Sequence, residues 1–437
     1  MKIEVSGDAD AAMSEETLAK LQRDTFGYFL KETNTANGMV PDNTRQDSHA
    51  SIAAIGFALT AYTIGVERGF ISRAEAIQRT LTTLRFFKDS EQSEGANATG
   101  YKGFYYHFLY MDSGRRAWES ELSTIDSTYV LAGALTAASY FNDDTREEHE
   151  IRSLAEELYA RADWQWALNG GETVSMGWKP ECGYLPPRWE GYNEALILYL
   201  LALASPTYPI PAASYKAQMQ TYCWKQLYGH EFLYAGPLFI HQLSHMWIDF
   251  RAIQDEFMRE KGIDYFENSR RATYVQQQYA IRNPLDYKGY GEHCWGITAS
   301  DGPGPTSLKI EGVERCFFDY TARGIPYGPD DGTIAPWAPV ASLPFAPEIV
   351  LPALQHFNDV YPEMTSEYGF KCSFNPTFDS ENQSKPGWIS KGYYGLDQGP
   401  IVMMIENYRT GFLWELMKQC PYIVEGLRKA GFTGGWL

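Results

Sequence analysis

The sequence predicts an all-α chain, an (α/α)6 toroid of six helical hairpins in an inner and an outer ring, and three observations predict it. About twelve stretches space their apolar residues at helical period between caps and breakers. Taken in order they pair into hairpins, and no composition shift or Pro/Ser-rich linker interrupts the series, so residues 1–437 read as one domain. The segments 92–120, 164–192, 282–345 and 361–397 are long and rich in Gly, Tyr and Trp, and loops of that length in a compact domain are usually functional.

Residues 1–14 are expected to be extended or disordered. Helices are expected over 15–32, 51–69 and 73–89, before a loop whose GYKGFYYHFLY hints at short hairpins. The helix over 123–141 opens on Ser123-Thr124-Ile125-Asp126, a capping-box-like S-x-x-D start, and 145–163 completes its hairpin. The helix over 193–204 is almost unbroken apolar sequence from Ala195 to Ala204, so it is buried on most faces, with Asn193 placed to cap it. Helices over 212–228, 238–258, 262–281 and 346–360 follow. Two more, 398–417 behind Asp397 and Gly399-Pro400, and 420–430, end the series. The long loops fall at alternate junctions, which gathers them on one face to wall a cleft.

Composition narrows the partners. A formal net charge of −18 argues against nucleic acid, an anionic membrane and polyanionic substrates, because like charges repel at long range. Aromatic content of 15%, with Tyr 30 and Trp 12, suits the apolar faces of sugars as well as a core. A neutral polymer fits best. The six cysteines form no CxxC pair, so neither a zinc site nor a disulfide scaffold is expected. No apolar run reaches the ~20 residues that span a bilayer. The start, MKIEVSGDADAAMSEETL, lacks the apolar core of a secretory leader, so a cytoplasmic location is expected, with a periplasmic or secreted one as the alternative.

Five motifs carry a resemblance: ELSTIDSTYVLAGAL (121–135), GYNEALILYLLALASP (191–206), HQLSHMWIDFR (241–251), DGTIAPWAPVASLPFAPE (331–348) and GLDQGPIVMMIENYRTGFLW (395–414). Together they resemble the bacterial glucoamylase-like domain family, which includes glycoside hydrolase family 144. The resemblance runs from about residue 15 to residue 431. It implies an (α/α)6 fold, a β-1,2-glucan or sophorose-type substrate, and inverting hydrolysis.

Such hydrolysis needs two carboxyl groups facing the scissile bond, one protonated and one ionised, roughly 6.5–9.5 Å apart when the outcome is inversion. Glu194 is the expected general acid. A helix N-terminus favours its ionised form, so desolvation by Tyr184, Trp189 and Tyr192 has to hold the proton on; Arg188 is expected to meet the sugar beside them. Asp397 is the expected base, kept ionised by the N-terminus of its helix. Glu121 and Asp126 are expected to bind the sugar at the cleavage point or to replace Asp397. Asp126 also has the plain duty of a capping residue; Glu121 has none.

His241 and His245 superficially resemble HExxH, but Gln242 stands where the catalytic Glu would be, which disfavours zinc. A packed helix with His245 reaching the cleft is expected, with Asp249 and Arg251 as a buried pair. Glu292, Trp295, Trp337 and Trp388 are expected to line sugar subsites, rings covering pyranose faces and the acid taking hydroxyls. Two acids in Asp330-Asp331-Gly332 are too few to infer a calcium site. The chemistry requires no metal or organic cofactor. The rival readings are a β-1,2-glucan transglycosylase or cyclising enzyme, an α-glucan hydrolase on the same fold, and a non-catalytic glucan-binding protein.

Overall fold

Helices form at Gly7–Lys31, Ile52–Glu67, Arg73–Asp89, Thr124–Tyr140, Arg146–Arg161, Leu196–Ala204, Tyr265–Arg282, Pro347–Val360, Gly395–Thr410 and Pro421–Lys429, each overlapping a predicted one. The structure, a computed structural model, describes residues 7–378 and 387–437, with side chains from Glu15 onward. The first helix starts at Gly7, earlier than expected; residues 1–6 of the expected extended start lie outside the described residues.

The helices sort by burial. Ile52–Glu67, Thr124–Tyr140, Leu196–Ala204 and Gly395–Thr410 are enclosed on nearly all faces; the first and third are almost wholly apolar, whereas Gly395–Thr410 also buries Asp397, Gln398, Glu406 and Asn407. Arg73–Asp89, Arg146–Arg161 and Pro421–Lys429 are amphipathic and bury one stripe each. Ile52–Glu67 packs on Thr124–Tyr140, which packs on Arg146–Arg161, while Leu196–Ala204 packs on Pro421–Lys429. Gly395–Thr410 lies against both Gly7–Lys31 and Ile52–Glu67, so the end of the chain returns to its start. The central crossing depends on two glycines: a Cβ at Gly56 would run into the Tyr129 carbonyl, and one at Gly133 into the Gly56 carbonyl.

The long loops carry most of the β-structure. One antiparallel sheet orders Gly100–Tyr101, Phe104–Tyr106, Leu122–Ser123, Gly177–Lys179 and Gly183–Tyr184; the remaining sheets among the described residues are two-stranded. The hairpins hinted at by GYKGFYYHFLY are therefore present.

Two predicted helices are corrected. Residues 238–258 form 3-10 turns at Leu238–His241 and Leu243–Met246 and then a short helix, Glu256–Lys261. Their side chains bond outward instead of leaving a clean helical stripe: Gln242 donates to the Ala338 carbonyl at 2.6 Å, and Ser244 to the Glu194 carbonyl at 3.0 Å. Residues 212–228 stay helical only over Ala212–Met219; Trp224–Leu227 then pairs with His230–Leu233. Tyr228 and Gly229 at the turn both have positive φ, the geometry a two-residue hairpin demands, and the aromatic flanks favour strand.

Candidate active site

A cavity of about 360 Å³ opens where the five-stranded sheet meets the start of the helix Leu196–Ala204. Glu194, Glu121, Asp126, Trp189 and Trp337 all line it, together with His107, Tyr129, Phe239 and Tyr320. Its walls are mostly apolar with a few convergent polar groups, the usual make-up of a small-molecule site.

Glu194 occupies the turn before the buried helix. Asn193 does not cap that helix; its Oδ1 accepts the Ala195 N–H at 3.0 Å. The cap comes from elsewhere: the Ser244 hydroxyl accepts the Ile197 N–H at 3.2 Å while donating to the Glu194 carbonyl. The 3-10 segment that replaced the predicted helix thus fixes Glu194. Burial, reinforced by the charge of Asp126, pushes the Glu194 carboxyl up to about 7 against the opposing pull of a backbone N–H. It keeps a proton where an ordinary Glu has lost it.

Register builds the opposite wall. Tyr105 pairs with Ser123 and Tyr106 with Leu122, so the next pair outward is His107 with Glu121, and the His107 N–H donates to the Glu121 carbonyl at 2.9 Å. Their side chains meet as well, His107 Nδ1 to Glu121 Oε1 at 2.8 Å, and His107 Nε2 lies 3.7 Å from Asp126 Oδ2. Burial alone would lower the His107 value, but Asp126, Glu121 and Asp42 raise it to about 9. Burial would likewise raise Glu121, and the His107 hydrogen bond and charge outweigh it and lower that carboxyl. Asp126 also does the expected capping work: Ser123 caps Thr124–Tyr140 by accepting the Asp126 N–H, and donates to the Asp126 carboxylate in return.

Asp397 sits in the first turn of Gly395–Thr410, 1% exposed. Leu396 before it lines the cavity, as does Tyr320, whose phenol feels the Asp397 charge. Neither Asp397 oxygen makes a hydrogen bond of ordinary geometry within the described residues. The expectation that the helix N-terminus holds it ionised is corrected: burial dominates, with Asp42 and Asp301 adding to it, and raises the carboxyl well above the usual range, while the adjacent Cys372 thiol pulls back only in part.

Several expected contacts lie elsewhere. Arg188 is spent on the backbone, donating to the Leu168 and Thr173 carbonyls. Tyr184 donates to the Trp166 carbonyl at 2.7 Å, and Tyr192 packs among His241, Tyr222 and Tyr265. Of the three residues expected to desolvate Glu194, only Trp189 lines the cavity, its indole N–H fixed on Thr124 Oγ1 at 2.9 Å. His245 is buried in the core against Phe250 and Phe345, and burial drops its value to about 3. Trp295 is a core residue, Glu292 is exposed, and Trp388 lies half-buried on a strand paired with Asn375. None of Tyr184, Arg188, Tyr192, His245, Glu292, Trp295 or Trp388 lines the cavity. The Asp249–Arg251 pair forms, 2.7 Å between Oδ1 and Nε, but it is not the buried pair expected: Asp249 is buried and Arg251 is exposed.

Sequence reading missed His107, Tyr129 and Tyr320. The signal for His107 was there, a histidine in an alternating aromatic strand one register step from Glu121. Tyr129 looked like any core residue of its helix, and its hydroxyl and the Trp337 indole N–H find no partner among the described residues.

Comparison with known proteins agrees with this site. The family model described as "Putative glucoamylase" matches residues 186–421. A curated relative from Parabacteroides distasonis, an exo β-1,2-glucooligosaccharide sophorohydrolase (non-reducing end), is 28% identical over 461 residues, covering 97% of this chain. The chain spans 59% of that relative's length. Among solved structures, an endo-β-1,2-glucanase from Chitinophaga pinensis, in complex with sophorotriose and glucose, superposes with a TM-score of 0.85 at 28% identity, covering 97% of this chain and 99% of that one. A "putative glucoamylase" from Bacteroides uniformis superposes with a TM-score of 0.85 at 31% identity over 100% of both chains. The resemblance read from the five motifs is borne out, and the chain belongs to the "Putative glucoamylase" family.

Proposed function

We propose that this protein hydrolyses β-1,2-linked glucan or its oligosaccharides by a single inverting displacement, on one (α/α)6 domain. The observation that carries the reading is Glu194: a carboxyl in an aromatic-walled cavity whose proton is held to about 7, facing a cluster of further carboxyl groups. The names of the relatives supply the linkage, and the return of Gly395–Thr410 to the first helices supports a closed ring.

In the reaction Glu194 gives its proton to the glycosidic oxygen as the C1–O bond breaks. A water attacks C1 from the other face, and its proton passes to Asp397. Asp397 is preferred as base because only the adjacent Cys372 thiol engages it and its raised proton affinity makes it a strong acceptor, once its own proton has left ahead of the displacement. Its oxygens do not reach the cavity surface, so the proton travels through an intervening water or hydroxyl, for which Tyr320 is placed. Asp126 is the second reading for the base, favoured by its direct place in the lining.

The deciding experiment is chromatography of products from a β-1,2-glucan digest, with polarimetry for the anomer first released. Sophorose-series products of inverted configuration are expected. Cyclic products or transfer to acceptors would make it a transglycosylase, release only from maltooligosaccharides an α-glucan hydrolase, and binding without release a lectin-like protein.

A further inference from the structure

Trp118 is 61% exposed, the most exposed tryptophan among the large hydrophobic side chains on this surface, and Tyr110 beside it is 45% exposed. Singly exposed aromatics need no explanation, but this one is held in place by unusual means. Trp118 and Glu119 both adopt left-handed backbone, φ +55° each, a conformation that disfavours bulky residues. The turn is braced from both sides. Ala117 N–H donates to the Phe108 carbonyl at 2.9 Å, the Ser120 hydroxyl to that same carbonyl at 3.2 Å, and the buried Arg116 guanidinium to the Ser120 carbonyl at 2.7 Å. The ring itself is stacked on His49, centroids 4.0 Å apart and 22° between planes, and His49 is in turn tied through Nδ1 to the Asp47 carbonyl. With His49 stacked on one face and the residue 61% exposed, Trp118 presents a flat, braced ring to solvent.

That surface is continuous with the cavity. Phe108 meets Trp118 edge-on at 5.2 Å, and stacks on His107 at 4.0 Å and 13°. His107 lines the cavity, and Glu121, three residues beyond Trp118, lines it as well. An aromatic path therefore leads from the carboxylate cluster to the outside.

From this we infer that Trp118, backed by His49, is an outlying sugar-binding platform that holds a glucosyl unit of a long β-1,2-glucan after the chain has left the cavity. A pyranose offers an apolar face of ring C–H groups, which a flat, pre-fixed indole covers without loss of side-chain freedom. The negative charge of the chain as a whole leaves a neutral polymer as the occupant. This inference rests on the β-1,2-glucan reading of the site and adds a length preference to it.

The test compares wild type, Trp118→Ala and Trp118→Phe on long-chain β-1,2-glucan and on a β-1,2-linked trimer, with the thermal midpoint of each variant measured alongside. In Trp118→Ala the KM for the long chain should rise about five- to ten-fold while that for the trimer stays within about two-fold, and Trp118→Phe should recover most of the loss. Equal loss on both lengths, or no loss on either, overturns the platform. If wild type cleaves neither substrate, the hydrolase reading fails by itself, and affinity electrophoresis through long-chain β-1,2-glucan then decides the platform. Wild type retarded more than Trp118→Ala sustains it; equal mobility overturns it.

Discussion

The His107 imidazole spans two carboxyl groups of the cavity wall, 2.8 Å from Glu121 Oε1 through Nδ1 and 3.7 Å from Asp126 Oδ2 through Nε2. A cation between two acids lowers the local negative charge that would otherwise push the Glu194 proton affinity still higher. Because the folded value of about 9 stands above the ordinary 6.5, the associated stability is present below pH 6.5 and is lost as pH rises through 9. His107→Gln should therefore flatten the decline of the thermal midpoint across that window. An unchanged decline would show that this imidazole is not the titrating group.

Glu194 carries the opposite kind of trade. Its folded value of about 7 exceeds the ordinary 4.5, so its contribution to stability is complete below 4.5 and disappears as pH rises through 7. Glu194→Gln should lower kcat about 10²–10⁴-fold, yet stabilise the fold at pH 8 by up to about 3 kcal/mol, with little change near pH 4.5. Denaturant titrations at the two pH values measure it. In wild type, kcat/KM should fall on the alkaline side with a midpoint near 7.

The two candidates for the base separate by their commitments. Asp397→Asn should cut kcat about 10²–10⁴-fold with KM little changed. Asp126→Asn disturbs the Ser123 and His107 contacts and should act chiefly on KM. The reverse pattern in steady-state kinetics would move the base to Asp126.

Gly56→Ala probes the frame. The added methyl meets the Tyr129 carbonyl, so the two central helices must separate, costing about 1–3 kcal/mol. Since Tyr129 lines the cavity, activity should fall along with the thermal midpoint.

The loop that carries Tyr320 rests on an ion pair. Arg323 and Asp331 are both fully buried, Nε to Oδ1 at 2.7 Å, and Arg323 also donates to the Ser300 and Phe318 carbonyls. Asp331→Ala leaves that guanidinium buried and unpaired, which should cost about 3–5 kcal/mol in a denaturation experiment and loosen the Tyr320 wall.

What could be read from the chain divides by the range of the physics involved. Helix period, the S-x-x-D cap at Ser123 and the apolar run before Ser205 are local signals, and the helices they announce are there. The stretch 238–258 misled because its hydrophobic pattern came from burial on all sides, and period cannot separate that from a helical stripe. Tyr228-Gly229 was a hairpin signal passed over. At the site, Glu194 and the Glu121/Asp126 pair were found from the chain, whereas Tyr192, His245 and Trp295 were equally plausible by type and proved to be core.

The sequence by itself determined the helical class, the buried helix behind Glu194, the family and the carboxyl groups worth testing. Tertiary structure alone decided which of them share a cavity, brought His107 beside Glu121 through strand register, and set Asp397 behind the wall, not on it. The reason is physical. Helix and turn preferences are local free energies, legible within a few residues. A protonation state or a sugar-binding surface depends on every group within several ångströms, and those groups arrive from stretches of chain that share no local pattern.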